Sequence, residues 1–197
     1  MKTNWIFRTL SLLLFVSVFA VSCKDDLDKE KEDDYKAQIE ALQAELAKYT
    51  AENANIEELL AKFDDLDFEV FTNQEWTRLH ESHAEDILVH WPDGSTTTGL
   101  DRHIEDLAAM FVYAPDTRIE QHPIAIGSGN ITAVMGVMEG TFTEPMPIGD
   151  GQFIEPNGNS YKISMVTIGL WNEEGVMYEE YLYWDNLTYM RQLGLAE

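Results

Sequence analysis

The sequence predicts an α+β domain carried on an N-terminal helical tether, with a curved antiparallel sheet wrapped around helices. Three observations lead there. Helical periodicity dominates the chain up to about residue 112. Long strand-like runs then fill Arg118 to Trp184, divided by the hairpin signals Ser128-Gly129-Asn130 and Asn172-Glu173-Glu174-Gly175. Of the 197 residues, 45% are apolar, enough for one domain with a core of its own.

Residues 1–22 read as a signal segment rather than as part of the fold. Lys2 and Arg8 precede a short apolar run that begins at Leu10 and ends in small residues. The tetrapeptide Ala20-Val21-Ser22-Cys23 resembles a bacterial lipobox, and Cys23 is the only cysteine. The resemblance implies cleavage before Cys23, lipidation of its thiol, and attachment to the outer membrane of a Gram-negative bacterium. Lys24-Asp25-Asp26 resembles a surface-export signal, and both the periplasmic and the cell-surface side remain open. A single thiol permits neither an intramolecular disulfide nor a cysteine-based metal site. The net charge of −23 excludes a nucleic-acid partner, because phosphate binding needs clustered Lys and Arg.

Residues 23–50 form an acidic linker and helical tether. The first part is a charged run with almost nothing to bury. From Tyr35 the residues Ile39, Leu42, Leu46, Tyr49, Asn53, Ile56, Leu60 and Phe63 follow at alternating spacings of four and three, a heptad seam. Two arrangements satisfy residues 35 to 50: a short coiled coil pairing two copies, giving a homodimer, or one amphipathic helix. Beyond Ala51 the same helix is expected to pack on its own domain.

Residues 51–197 make up the globular part. Helix continues over 54 to 69. A second short helix is expected from Thr72 to Ser82, with Thr72 as N-cap and Glu75 as its capping-box partner. Asp86 to Trp91 reads as a strand ending in the turn Pro92-Asp93-Gly94. Residues 100 to 112 carry Ile104, Leu107, Ala108 and Phe111 at helical spacing, stopped by Pro115. Strands are expected over Arg118 to Gly127, Ile131 to Thr143, Tyr161 to Trp171 and Val176 to Trp184, with a loop over 144 to 159.

The stretch Gly175 to Asp185 (GVMYEEYLYWD), followed by Gln192-Leu193-Gly194, resembles the end of SnoaL-like polyketide cyclases, a branch of the nuclear transport factor 2-like superfamily. Other pieces agree in order: His90, Gly99, Ala114-Pro115-Asp116, Gly136, Gly140-Thr141-Phe142 and Pro156-Asn157-Gly158. The resemblance implies a cone-shaped α+β barrel with one deep apolar pocket. It implies cofactor-free and metal-free acid/base chemistry on a small hydrophobic substrate, of cyclase, isomerase or hydrolase type. The alternative is a non-catalytic ligand-binding or dimeric assembly module of the same fold.

By the motif, Asp185 is the catalytic aspartate and His90 its pocket partner. Tyr181, Tyr183, Trp171, His122, Met110 and Phe111 complete the expected pocket. Asp185 shares strand parity with Tyr181 and Tyr183, so the three face one side. If that side is the pocket, desolvation raises the carboxyl pKa toward the range of a general base. The alternative is a cap on the backbone amides of Leu187 or Thr188. The family's second polar residue is missing: Ile163 to Asn172 carries no ionisable group, and its place falls on Trp171.

The remaining polar residues divide as follows. His80, His83 and His90 could approach one another, but no carboxylate accompanies them and no metal site is assigned. His103 is expected to be solvated, and Glu139 to face water on the outer side of the sheet. Met110, Met135, Met138, Met165 and Met177 are expected to fill the core.

Overall fold

The computed structural model describes residues 26–197. The signal segment, the lipobox with Cys23, and Lys24-Asp25 lie outside the described residues. Contacts divide the chain at Leu46/Ala47 into two compact units.

Helix α1 spans Asp26–Asp65 and is rich in Ala, Glu, Gln and Lys, all good helix formers. Its early seam residues Tyr35, Ile39, Leu42, Leu46 and Tyr49 are exposed. From Leu59 onward the chain turns an apolar face inward: Leu59, Phe63 and Leu66 are buried in the core of the second unit, with the seam residue Leu60 partly buried against it. The helix passes into a wider π-turn, Leu66–Phe71, instead of ending at the expected position. Lys62 fastens it to the sheet by donating from Nζ to the Gly175 carbonyl, 2.8 Å away.

The expected helix from Thr72 reduces to a 3₁₀ segment, Trp76–Glu81. Thr72 does not cap it. The Thr72 hydroxyl donates to the Asp67 carbonyl at 2.7 Å and accepts from the Ile119 amide at 3.0 Å. A side chain committed to its own helix's end and to a neighbouring strand is not free to start a new helix.

The strands are β1 (His83–His90), β2 (Thr96–Thr98), β3 (Arg118–Ile119), β4 (Ile124–Ser128), β5 (Ile131–Thr141), β6 (Met146–Gly149), β7 (Gln152–Ile154), β8 (Ser160–Trp171) and β9 (Met177–Trp184). Helix α2 (Leu100–Tyr113) follows β2, and α3 (Asn186–Gln192) follows β9. Seven strands form one sheet in the order β2-β1-β9-β8-β5-β3, with β4 also on β5. Only β1 and β9 run parallel within it. The expected strand from Arg118 to Gly127 is broken into β3 and β4. Pro123 lies in the gap, where it has no N–H to offer the ladder. The loop after β5 contains the small β6–β7 hairpin. Gly129 and Gly175 turn the two long hairpins with φ of 61° and 71°, conformations that suit a residue without Cβ.

Alternation sets what faces inward. On β5, Thr132, Val134, Met138 and Gly140 are buried, while Glu139 points outward and pairs with Arg118 and Lys162, as expected. On β9 the inward set is Glu180, Leu182 and Trp184, and the outward set is Glu179, Tyr181 and Tyr183. The concave side packs on α1, α2 and α3, a mixed α+β architecture with a curved sheet.

Candidate functional site

The inward residues of β9 meet α2 and β1 around a small internal cavity of about 40 Å³. Its wall is mostly apolar, with Leu66, Phe71, Leu107 and Met165 among the lining residues. Four ionisable side chains also reach it: Asp67, His83, His103 and Glu180. Such a volume holds about one water-sized group.

His83, His103 and Glu180 form one buried cluster. The His103 Nε2 lies 3.3 Å and the His83 Nε2 3.8 Å from Glu180 Oε2. His83 is oriented by the Ser82 hydroxyl, 2.9 Å from its Nδ1. Among the described residues, the buried side-chain atoms with no hydrogen-bond partner are His83 Nε2, His103 Nδ1 and Glu180 Oε2. Burial pushes His103 down to about 4, with Glu180 only partly opposing it, so this imidazole is neutral at pH 7. For Glu180, burial works against the charge, but His83, and His103 when protonated, outweigh it and hold the carboxyl below the usual range. The three residues offer ligating atoms within 4.8 Å of one another and could hold a metal ion.

A second cluster enters from the other side. His122 is nearly enclosed, its side chain 4% exposed. Its Nε2 lies 2.8 Å from Asp67 Oδ2 and its Nδ1 2.7 Å from Asp64 Oδ1. The ring packs on Phe68, 4.4 Å between centroids, and edge-on to Phe63. Burial pulls the imidazole down, yet the two carboxylates more than compensate and raise its pKa. Asp67 itself is pushed up by burial, against the pull of His122.

An outer cleft of about 670 Å³ lies beyond the cavity. Trp91, Met110 and Trp184 line both spaces and form the partition between them. Trp91 and Trp184 meet edge to face with centroids 6.4 Å apart, and Trp91 reaches Thr97 Oγ1 through its indole N–H at 2.9 Å.

The structure corrects several sequence-based expectations. Asp185 is not at the bottom of a dry pocket. It is exposed on the rim of the outer cleft and caps α3, accepting from the Thr188 amide at 3.0 Å and from its hydroxyl at 2.6 Å. The Thr188 hydroxyl and amide lower its pKa, the opposite of the expected shift. Tyr181 and Tyr183 share a face, the outer one of the sheet, but β9 ends at Trp184 and Asp185 follows it as the cap of α3. His90 lies on that face too, stacked on Tyr181 at 4.0 Å with its Nε2 2.9 Å from Glu179 Oε1. Trp171 is a buried core residue that donates from Nε1 to Thr132 Oγ1 at 2.9 Å. Phe111 is buried against Phe71 and Trp76 and is not a lining residue. Met110 does line both spaces, and His122 touches the cavity through Asp67.

Sequence reasoning missed His103 and Glu180. His103 stands in the stripe Leu100, His103, Leu107, Phe111, so its spacing marks it as inward. Glu180 carries no such mark, because both faces of β9 hold a glutamate and aromatic residues. The trio His80, His83 and His90, to which no metal site is assigned, does not assemble: His80 is exposed, and His90 is on the outer face of the sheet.

Residues 61–193 match the profile of the family described as SnoaL-like polyketide cyclase. Solved structures with the same fold include IdmH from Streptomyces antibioticus, at 20% identity and TM-score 0.57, covering 71% of this chain and 98% of that one. A SnoaL-like polyketide-cyclase candidate from Jannaschia sp. CCS1 aligns at 16% identity and TM-score 0.60, over 73% and 94% of the two chains. TsrD from Streptomyces laurentii aligns at 15% identity and TM-score 0.56, over 72% and 96%. No curated protein matches the chain. The chain belongs to the SnoaL-like polyketide cyclase family.

Proposed function

We propose that this SnoaL-like domain transforms a small hydrophobic carbonyl compound by cofactor-free general acid/base chemistry of cyclase or isomerase type. One observation carries the reading. Two carboxyl groups, largely buried Asp67 and fully buried Glu180, line the same cavity, and their surroundings push their pKa values in opposite directions. A pair separated in this way divides the roles of acid and base. Glu180, held below the usual carboxylate range chiefly by His83, is the base; Asp67, driven toward its neutral form by burial, is the acid. Neutral His103 and oriented His83 bracket the base.

The cavity is too small for a whole substrate. The reacting end enters it by displacing the partition of Trp91, Met110 and Trp184, while the body of the molecule stays in the outer cleft. Both indoles and the flexible thioether give that passage an apolar wall.

The base is tested with 5-nitrobenzisoxazole, a compact apolar carbon acid. A base removes its ring C–H proton, the N–O bond breaks, and a cyanophenolate forms. Glu180→Gln is expected to lower turnover about a hundredfold, within the range for loss of general base catalysis. Wild-type turnover equal to that of Glu180→Gln would refute the catalytic reading. Retained binding of a naphthalene dye in the cleft would then leave a ligand-binding module.

We also propose that lipidated Cys23 holds the chain at the outer membrane, facing either the periplasm or the cell surface. Among the described residues no helix is long and apolar enough to cross a membrane. The exposed seam residues Tyr35, Ile39, Leu42, Leu46 and Tyr49 support a homodimer formed through the tether.

A further inference from the structure

We propose that Asp64, His122 and Asp67 form a proton relay that connects the internal cavity to solvent. This rests on the reading that Asp67 serves the cavity as an acid. The path is continuous in named atoms. Asp67 lines the cavity and its side chain is 13% exposed. His122, at 4%, bridges it to Asp64, at 54%, through contacts of 2.8 Å and 2.7 Å. One carboxylate therefore faces the cavity and the other faces water, with a single imidazole between them.

Phe63 and Phe68 close over the His122 ring, and Gly136 of β5 leaves room beside it, where an added Cβ would come 3.5 Å from Asp67 Oδ2 and 3.7 Å from the ring. The charged groups acting on the pair are Asp64, and across the cavity Glu180 and His83. The two pulls at the pair are opposed: burial favours neutral Asp67, and flanking carboxylates favour the imidazolium. Both ends can thus hold the proton that lies between Nε2 and Oδ2.

The proton count closes. On the way in, Asp64 passes a proton from water to Nδ1, and the Nε2 proton moves to Asp67, leaving the ring protonated at Nδ1. On the way out, Asp67 returns a proton to Nε2, and the Nδ1 proton leaves through Asp64 to water. One passage in each direction restores the ring, which suits a catalyst that gives and takes back one proton. His122 and Asp64 are positioning residues here, acting on the chemistry only through Asp67.

The test uses the folded domain on its tether, labelled with ¹⁵N in its histidines. The exchange rate of the His122 Nε2 proton with solvent is measured in wild type, Asp64→Asn and Asp64→Glu. Asp64→Asn keeps a hydrogen-bonding group on the exposed side but cannot carry a proton. Exchange is expected to slow about tenfold in Asp64→Asn and to recover in Asp64→Glu. An unchanged rate in Asp64→Asn overturns the relay. This readout needs no turnover, so it separates failure of the relay from failure of the acid/base reading. Where 5-nitrobenzisoxazole is turned over, Asp64→Asn is expected to slow it severalfold, with recovery on adding imidazole buffer as an external proton carrier. Slowing that imidazole does not reverse counts against the relay.

Discussion

Replacing His103 with Gln should flatten the dependence of stability on pH. The imidazole is 2% exposed, and burial holds its folded pKa at about 4 against an ordinary 6.5. The folded state therefore refuses a proton that the unfolded chain accepts below pH 6.5. Stability from this residue is full above 6.5, falls as the pH drops toward 4, and is level below that. The gap between 6.5 and about 4 corresponds to roughly 3 kcal/mol at its limit, of which about 2 kcal/mol has been lost by pH 5. His122 works in the other sense. Its folded pKa is raised, so its stabilisation is complete below 6.5 and disappears as the pH rises through the folded value. The two opposing slopes partly cancel in the wild type, and a single-protein titration would hide both. Urea unfolding at pH 8 and pH 5, followed by tryptophan fluorescence, should show the pH 8-to-5 loss in stability smaller by about 2 kcal/mol in His103→Gln than in wild type. Glu180 titrates below the usual carboxylate range and contributes little inside that window. Parallel pH dependences in the two proteins would mean that His103 is hydrated or shares its proton, and the neutral, buried imidazole would have to be abandoned.

Four further outcomes follow from the same structure and sequence. Cys23→Ser should abolish fatty-acid labelling and release the protein from membranes; labelled, pelleting mutant would end the lipoprotein proposal. Deleting residues 24–50 should convert a dimer to a monomer in sedimentation at tens of micromolar, roughly where a short zipper pairs; a surviving dimer would place the contact elsewhere. Asp185→Ala should lower the thermal midpoint slightly by removing the α3 cap, and Asp185→Asn should leave the pH–rate profile for 5-nitrobenzisoxazole in place. Loss of the low-pH limb in Asp185→Asn would restore Asp185 as the base. Dialysis against a chelator should change neither turnover nor unfolding midpoint; activity lost on dialysis and regained with Zn²⁺ would make His83, His103 and Glu180 metal ligands instead.

The fold was legible because its signals are local. Turn glycines at 129 and 175, alternation on β5 and the stripe on α2 each need only a few neighbouring residues to be read. The site was less legible because it depends on which face of β9 is concave. Period-two alternation says that Tyr181, Tyr183 and Asp185 go together; the two tyrosines do, while Asp185 lies past the end of β9. It does not say whether they go in or out when the other set is Glu180, Leu182 and Trp184. The outer face satisfied Glu179 cheaply, with His90 and the Tyr181 hydroxyl at 2.9 Å and 2.7 Å. Glu180, in contrast, had to be buried beside two imidazoles contributed from β1 and α2, far away in sequence. A buried carboxylate without full hydrogen bonding is costly to keep. Its cost is a reason to look for function at Glu180, where the fold gains little, rather than at Asp185, whose carboxylate is already used in starting a helix.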